Sequence, residues 1–211
     1  MIIVVGGIKG GSGKTTIATN LTVMCSRENK KVLLVDADEQ KSSSDWAEHR
    51  ETLGLESPWT TVQLSGSSVR SEVRKMEKHY DEIIIDTGGR DTTSQRASLT
   101  IADILIAPFQ PRSLDIWTIG KLSSLIDEVR SINQNLLCYA LLNRGDFKGQ
   151  DNTESLDIIK ESNCLSSFKT IIGQRKAFSN AAAEGKGVVE MKLYDQKAIR
   201  EIEALYLEVF D

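Results

Sequence analysis

Short, continuous apolar runs recur along the chain, and longer amphipathic stretches separate them. β-Branched residues and leucine dominate the runs, and polar residues do not alternate with them. This pattern is typical of strands that are covered on both faces, as in a parallel sheet. The predicted strands cover residues 2–5, 32–35, 60–64, 83–85, 104–107, 136–142 and 168–172.

The stretches between the runs predict helices. Residues 15–27, 114–132 and 196–210 place apolar side chains three or four positions apart, on one face of a helix. Alternation of strand and helix implies right-handed crossovers, so we predict an α/β fold with a doubly wound, mostly parallel sheet and helices on both faces. No repeat or change of composition marks a boundary, and we expect a single domain over residues 1–211. Functional loops should then lie at the carboxyl ends of the strands.

Composition narrows the class of protein. The chain has 211 residues, of which 40% are hydrophobic and 27% charged, which excludes wholesale disorder. No apolar stretch approaches the roughly 18 residues of a membrane-spanning helix. Three widely separated cysteines, Cys25, Cys138 and Cys164, indicate reduced thiols in a cytoplasmic protein. The net charge of −4 argues against a uniformly basic surface but leaves room for a local basic patch.

A glycine-rich loop joins the first predicted strand to the first helix, and it reads Lys9-Gly10-Gly11-Ser12-Gly13-Lys14-Thr15-Thr16. Glycines let successive N–H groups approach an anion, and the helix that follows directs its positive end at the same anion. Lys14 can reach β- and γ-phosphate oxygens, Thr15 offers a hydroxyl to Mg²⁺, and Thr16 lies toward the α-phosphate. Ile8 occupies the first glycine position of the standard motif. A glycine-rich turn with a solvated lysine is the weaker alternative.

Two further predicted strands are followed by acidic residues. One leads into Asp36-Ala37-Asp38-Glu39-Gln40 and the other into Asp86-Thr87-Gly88-Gly89. An apolar strand that delivers one carboxylate at its carboxyl end is the Walker B arrangement, which predicts that Asp86 holds magnesium. Gly88 and Gly89 allow the backbone to come close to a ligand. A turn or helix-capping role for Asp86 is the alternative.

The loop from Lys9 to Thr16 resembles the deviant Walker A motif of the ParA/MinD family, and in particular of the small ParA-like partition ATPases. The resemblance implies ATP and Mg²⁺ as ligands, slow ATP hydrolysis, and a homodimer formed with ATP in which Lys9 reaches the partner's nucleotide. The segment from Asp36 to Gln40 is similar to the family's D-x-D-P-Q, with Glu39 in place of proline. It implies that Asp38 lies near the metal and the attacking water. By the same resemblance, the N–H of Gly89 contacts the γ-phosphate, and Lys9, Lys14 and Asp38 form the catalytic set.

Two weaker hypotheses concern the second half of the chain. Asn143 occupies the place where related ATPases contact adenine, although a plain turn residue would explain it nearly as well. The segment Gln174-Arg175-Lys176 resembles a DNA-binding segment of small ParA proteins, and residues 165–192 carry five cations and two anions. Arg175 and Lys176 are therefore candidate contacts to DNA phosphates, with a solvated charged face as the alternative.

The resemblance implies a cytoplasmic, nucleoid-associated switch that binds DNA nonspecifically and segregates plasmid or chromosomal DNA. A ParB-like protein or cargo adaptor would stimulate its ATP hydrolysis. An ATPase that positions a protein assembly and a metabolic enzyme on the same scaffold remain as alternatives. Residues 197–211 carry four anions and two cations, and this balance argues against a membrane-binding helix.

Overall fold

A computed structural model describes residues 1–111, 118–146, 150–191 and 195–210. The described residues form a sheet of seven strands in the order β3-β2-β4-β1-β5-β6-β7, and the pairs of neighbouring strands are parallel. The strands are β1 Ile2–Val5, β2 Val32–Ala37, β3 Thr60–Gln63, β4 Glu82–Thr87, β5 Ile104–Phe109, β6 Leu137–Gly145 and β7 Ser166–Gly173. The predicted parallel sheet is confirmed.

Helices connect successive strands, and further helices follow β7. They are α1 Lys14–Arg27, α2 Ser42–Thr52, α3 Ser68–Met76, α4 Thr93–Leu99, α5 Ile119–Arg130, α6 Asp151–Glu161, α7 Lys176–Ala183 and α8 Gln196–Phe210. Short 3₁₀ turns occupy Glu77–His79 and Val188–Glu190. Most of the predicted helix over 114–132 is present as α5, and its predicted start at 114–117 lies outside the described residues. In the described part of the chain, no helix combines the length and apolar character needed to cross a bilayer.

Two hydrophobic layers sandwich the sheet, and β1 at its centre contributes to both. Ile3 and Val5 lie in the layer that α1, α2, α7 and α8 cover, whereas Ile2 and Val4 lie in the layer that α3, α4, α5 and α6 cover. Both sets are buried. This double coverage is the physical reason that the strands read as unbroken apolar runs.

Parallel pairing brings the carboxyl ends of β1, β2 and β4 to one edge of the sheet. Val5 and Asp36 both lie in register with Asp86. The aspartates and Asn143 lie near the carboxyl ends of strands that run further than the apolar pattern predicted, because the strand pairing continues through these polar positions. The glycine-rich loop therefore meets both acidic segments, as the fold class predicted.

β7 is the strand at one edge of the sheet, and side chains of α8 bind its backbone. The carboxylate of Glu208 accepts hydrogen bonds from the N–H groups of Lys169 and Thr170 at 2.8 Å each, and Glu201 accepts one from Gly173 at 3.0 Å. The strand pairing with β6 is irregular at this point. Two glutamates of the last helix thus satisfy donors that an edge strand would otherwise present.

Candidate functional site

The glycine-rich loop has a backbone that other residues would strain. Gly11 has φ of 77° and Gly13, the residue before α1, has φ of 95°. A Cβ at Gly13 would lie 2.1 Å from Nδ2 of Asn143, so space as well as conformation requires glycine there. The first N–H groups of a helix have no partner within the helix, and those of α1 directly follow this loop.

Two side-chain amides hold the outer side of this loop. Asn143 Nδ2, at the end of β6, donates to the carbonyl of Ser12 at 2.6 Å, and Gln110 Nε2, after β5, donates to that of Gly11 at 2.9 Å. Asn143 Oδ1 accepts from the N–H of Arg144 at 3.0 Å. Both ends of the buried Asn143 amide are therefore used inside the protein. The structure gives Asn143 a supporting role, and its contact with a base stays a prediction.

Lys14 lies beneath the loop with only 6% of its surface exposed. Its ammonium donates to the carbonyl of Lys9 at 3.1 Å. Burial lowers the pKa of Lys14, while the nearby carboxylates of Asp86 and Asp38 oppose this change. A buried cation between the loop and two carboxylates is well placed to meet a polyanion. Lys9, by contrast, is partly exposed at the loop's rim.

Asp86 is fully buried at the end of β4. Among the described residues, neither of its carboxylate oxygens has a hydrogen-bond partner of normal geometry. Burial raises the pKa of the Asp86 carboxyl to about 7, and the hydroxyl of nearby Thr15 acts in the opposite direction. An orphaned buried carboxylate next to a threonine hydroxyl fits a magnesium ligand set, because Mg²⁺ is usually held by one or two carboxylates together with phosphate oxygens. No cluster of three or more His, Cys, Asp or Glu side chains suited to a metal occurs in the described ranges.

The two aspartates of the acidic segment after β2 have different surroundings. Asp36 is buried, and its oxygens accept hydrogen bonds from the N–H groups of Asp38 at 3.1 Å and Ser44 at 2.8 Å. It therefore fixes the turn and the start of α2, a role that the motif did not reveal. Asp38 is only partly buried and lines the cleft described below, as expected for a residue that acts on a ligand.

The loop after β4 packs closely against the glycine-rich loop. A Cβ at Gly89 would lie 2.5 Å from the backbone nitrogen of Gly10, and one at Gly88 would lie 3.0 Å from Oδ1 of Asp38. No side chain fits at Gly89 without moving one of the two loops. These contacts join three segments that lie between about thirty and eighty residues apart in the sequence.

These segments enclose a cleft of about 540 Å³, a size that accommodates a small-molecule ligand. Of the predicted site residues, it is lined by Gly10, Gly11, Gly13, Lys14, Thr15, Thr16, Asp38 and Gly89. Ser12 and Asp86 are buried. Two exposed arginines that the sequence reading missed, Arg90 and Arg144, also line the cleft. Arg90 follows Gly89 and Arg144 follows Asn143, both close to the carboxyl end of a strand. This position in the sequence is the signal that could have identified the two arginines.

The structure separates the two candidate DNA contacts. Arg175 Nε lies 3.1 and 3.0 Å from the two carboxylate oxygens of Glu201, and Nη1 lies 3.4 Å from Asp195. Hydrogen bonding to Glu201 raises the pKa of Arg175. This arginine thus ties the start of α7 to α8, whereas Lys176, the first residue of α7, is exposed. A DNA contact stays a prediction for both residues.

Comparison with known proteins identifies the family. The profile of the CobQ/CobB/MinD/ParA nucleotide binding domain, CbiA, matches residues 3–189. Two relatives, both called "Maintenance of carboxysome distribution protein A", come from Gloeobacter kilaueensis and Halothiobacillus neapolitanus. The first is 31% identical over 95% of this chain and 88% of its own length, and the second is 25% identical over 98% and 95%.

A solved structure shares the fold. It is a putative plasmid partition protein from Borrelia burgdorferi bound to AMPPNP, with a TM-score of 0.77, 22% identity, and coverage of 99% of this chain and 97% of that one. The resemblance predicted from the loop between Lys9 and Thr16 is confirmed. The chain therefore belongs to the CobQ/CobB/MinD/ParA family of nucleotide-binding domains, and it is a ParA/MinD-type ATPase.

Proposed function

We propose that this ATPase is a molecular switch that positions a large cargo, either DNA or a protein assembly. The observation that carries the proposal is the contact of Gly89 with Gly10, which places the loop after β4 directly on the phosphate-binding loop. The names of its relatives, which refer to carboxysome distribution and to plasmid partition, support a positioning role.

In the proposed ATP site, backbone N–H groups from Gly11 to Thr16 bind the phosphates, and the Lys14 ammonium neutralises charge on the β- and γ-phosphates. Thr15 and Asp86 would hold the magnesium ion that accompanies ATP and screens its triphosphate. A cation there would favour the ionised form of Asp86, whose pKa burial raises to about 7. Asp38 orients the attacking water. Positioning and electrostatic stabilisation are the usual means by which proteins accelerate phosphoryl transfer.

The proposed switch follows from the packing around Gly89. A γ-phosphate at the glycine-rich loop would contact the Gly89 N–H, and Gly88 lies against Asp38, so one ligand would order both acidic segments. Lys9 lies at the rim and would reach the nucleotide of a second copy. The ATP-bound state is then a homodimer, and its hydrolysis is stimulated by a ParB-like protein or cargo adaptor.

DNA is the proposed track or cargo. The region from residue 165 to 192 carries a positive balance in an otherwise acidic chain, and Lys176 presents one of these charges on the surface. We assign the phosphate contact to Lys176 and a positioning role to Arg175, whose guanidinium is engaged with Glu201. Association with the nucleoid would follow from nonspecific, salt-sensitive binding of this kind.

Sedimentation velocity with ADP or a non-hydrolysable ATP analogue, each with and without nonspecific duplex DNA, tests the proposal. We expect a monomer with ADP, a dimer with the analogue, and co-sedimentation with DNA only for the dimer. Lys14→Ala, which removes the phosphate-binding ammonium, is the control for nucleotide dependence. A monomer in every condition would contradict the switch. A dimer that does not bind DNA would contradict only the proposed DNA binding, and it would favour a cargo that is moved without the nucleoid.

A further inference from the structure

A second, shallower cleft of about 350 Å³ lies between α5 and α6. It shares no lining residue with the nucleotide cleft. The turn that follows α6 and leads into β7 forms part of its wall. Its principal lining residues are Ile119, Ser123, Asp127, Ile158, Glu161 and Cys164.

The floor of this cleft combines apolar surface with polar atoms that are already bonded. Ile158 has 44% of its surface exposed and supplies apolar surface at the cleft. The thiol of Cys164 lies 2.8 Å from the hydroxyl of Ser123 and 3.0 Å from that of Ser162. Because these groups satisfy one another, the floor offers a ligand mainly an apolar contact.

The rim of the cleft is acidic and uncompensated. Asp127 and Glu161 are exposed, and within the described ranges neither has a cationic group within 4 Å. Acidic neighbours on the same helices are paired, since Glu128 lies 2.5 Å from Arg96 and Asp157 lies 3.0 Å from Lys160. Among the described residues, no lysine or arginine lines the cleft. The two rim carboxylates therefore favour a cationic ligand, although the Arg130 guanidinium lies next to the floor, where it donates to the carbonyl of Cys164 at 3.4 Å.

We propose that this cleft docks a basic, amphipathic segment of a partner protein. An apolar side chain of the segment packs on Ile158, and lysine or arginine side chains on either side of it pair with Asp127 and Glu161. Charge complementarity selects this occupant, because an acidic segment or a nucleic acid would be repelled by the same rim. Exposed pairs of this type give modest affinity, and the apolar contact adds to it. Binding here leaves the nucleotide cleft accessible.

Fluorescence anisotropy with a labelled amphipathic peptide of leucine and lysine tests the proposal on the full chain. The double variant Asp127→Lys, Glu161→Lys should weaken peptide binding about tenfold or more, because it replaces two attractions with two repulsions. Glu48→Lys, Glu51→Lys makes the same change of net charge on exposed positions of α2 and should leave the affinity unchanged. Ile158→Ser should weaken binding about threefold, through the lost apolar contact.

Hydrogen exchange with the same peptide locates the contact, which should protect amides in α5 and α6. Circular dichroism and nucleotide affinity of the variants establish that they are folded. Equal losses in the two charge-reversed variants would overturn the proposal, because only net charge would then matter. Unchanged affinity in the Asp127→Lys, Glu161→Lys variant, or competition between the peptide and ATP, would overturn it as well.

Discussion

Replacing Asp86 with asparagine should stabilise the nucleotide-free protein, and the gain should depend on pH. The carboxyl is fully buried, with no hydrogen-bond partner at either oxygen among the described residues. Burial raises its pKa from 3.8 to about 7. The ionised form is thus the unfavourable one in the folded protein, although it is favoured in the unfolded chain.

The size of the effect follows from linkage between protonation and folding. A rise of about three in the pKa corresponds to a penalty of about 4 kcal/mol on the fully ionised folded state, since each unit is worth about 1.4 kcal/mol. Because the pKa of the carboxyl is raised in the folded protein, ionisation of Asp86 lowers the free energy of unfolding. Stability is unaffected below about pH 4, falls as the pH rises, and levels off above about pH 7. Asparagine does not titrate and removes this dependence.

Urea unfolding in EDTA, without nucleotide, measures the difference between the variant and the native chain. We expect the advantage of Asp86→Asn to be roughly 1 kcal/mol larger at pH 8.5 than at pH 6.0. Asp127→Asn, which changes an exposed carboxylate, is the control variant. An Asp86→Asn advantage that stays constant across this range would refute the argument that the buried carboxylate is strained. Added Mg²⁺ and ATP should stabilise the native chain more than the variant.

Three other changes test separate parts of the proposed switch. Lys9→Ala should retain nucleotide binding but weaken dimerisation with an ATP analogue at least about tenfold, because it removes the cation proposed to contact the partner's phosphates. Light scattering measures the dimerisation, and an unchanged dimer would contradict the proposed role of Lys9. Gly89→Ala should lower nucleotide affinity about tenfold or more, since its Cβ would lie 2.5 Å from the phosphate-loop backbone, whereas Gly120→Ala, with open space around it, should not. Titration with a fluorescent ATP analogue distinguishes them. Lys176→Ala should weaken DNA binding in a shift assay without loss of stability, whereas Arg175→Ala should cost about 1–3 kcal/mol of folding free energy. The opposite pattern would reverse the two assignments.

The parallel sheet, and the positions of the glycine-rich loop and Asp86 at one edge of it, could be predicted because their signals are local. The residues from Lys9 to Thr16 are contiguous, and a strand buried on both faces has a continuous apolar sequence. The role of Asn143 could not be predicted, because its partner Ser12 lies 131 positions away and only the folded sheet brings them together.

Contacts between residues that are distant in the sequence explain the remaining differences between the sequence-based predictions and the structure. Arg175 reads as a surface cation next to Lys176, yet Glu201 on α8 binds it, and nothing in the sequence fixes how α8 lies on β7. The hydrogen bonds of Asp36 to the N–H groups of Asp38 and Ser44 could not be predicted either, because they depend on the turn after β2. Motif residues are thus easier to locate than to separate into ligand-binding and supporting groups.

The glutamates of α8 that bind the β7 backbone limit how copies of this protein can assemble. Their carboxylates occupy N–H groups that an added strand would need, so this margin of the sheet resists extension by a neighbouring chain. Two acidic residues of the last helix thereby make β7 a poor template for strand addition. The proposed dimer would then use the nucleotide end of the molecule.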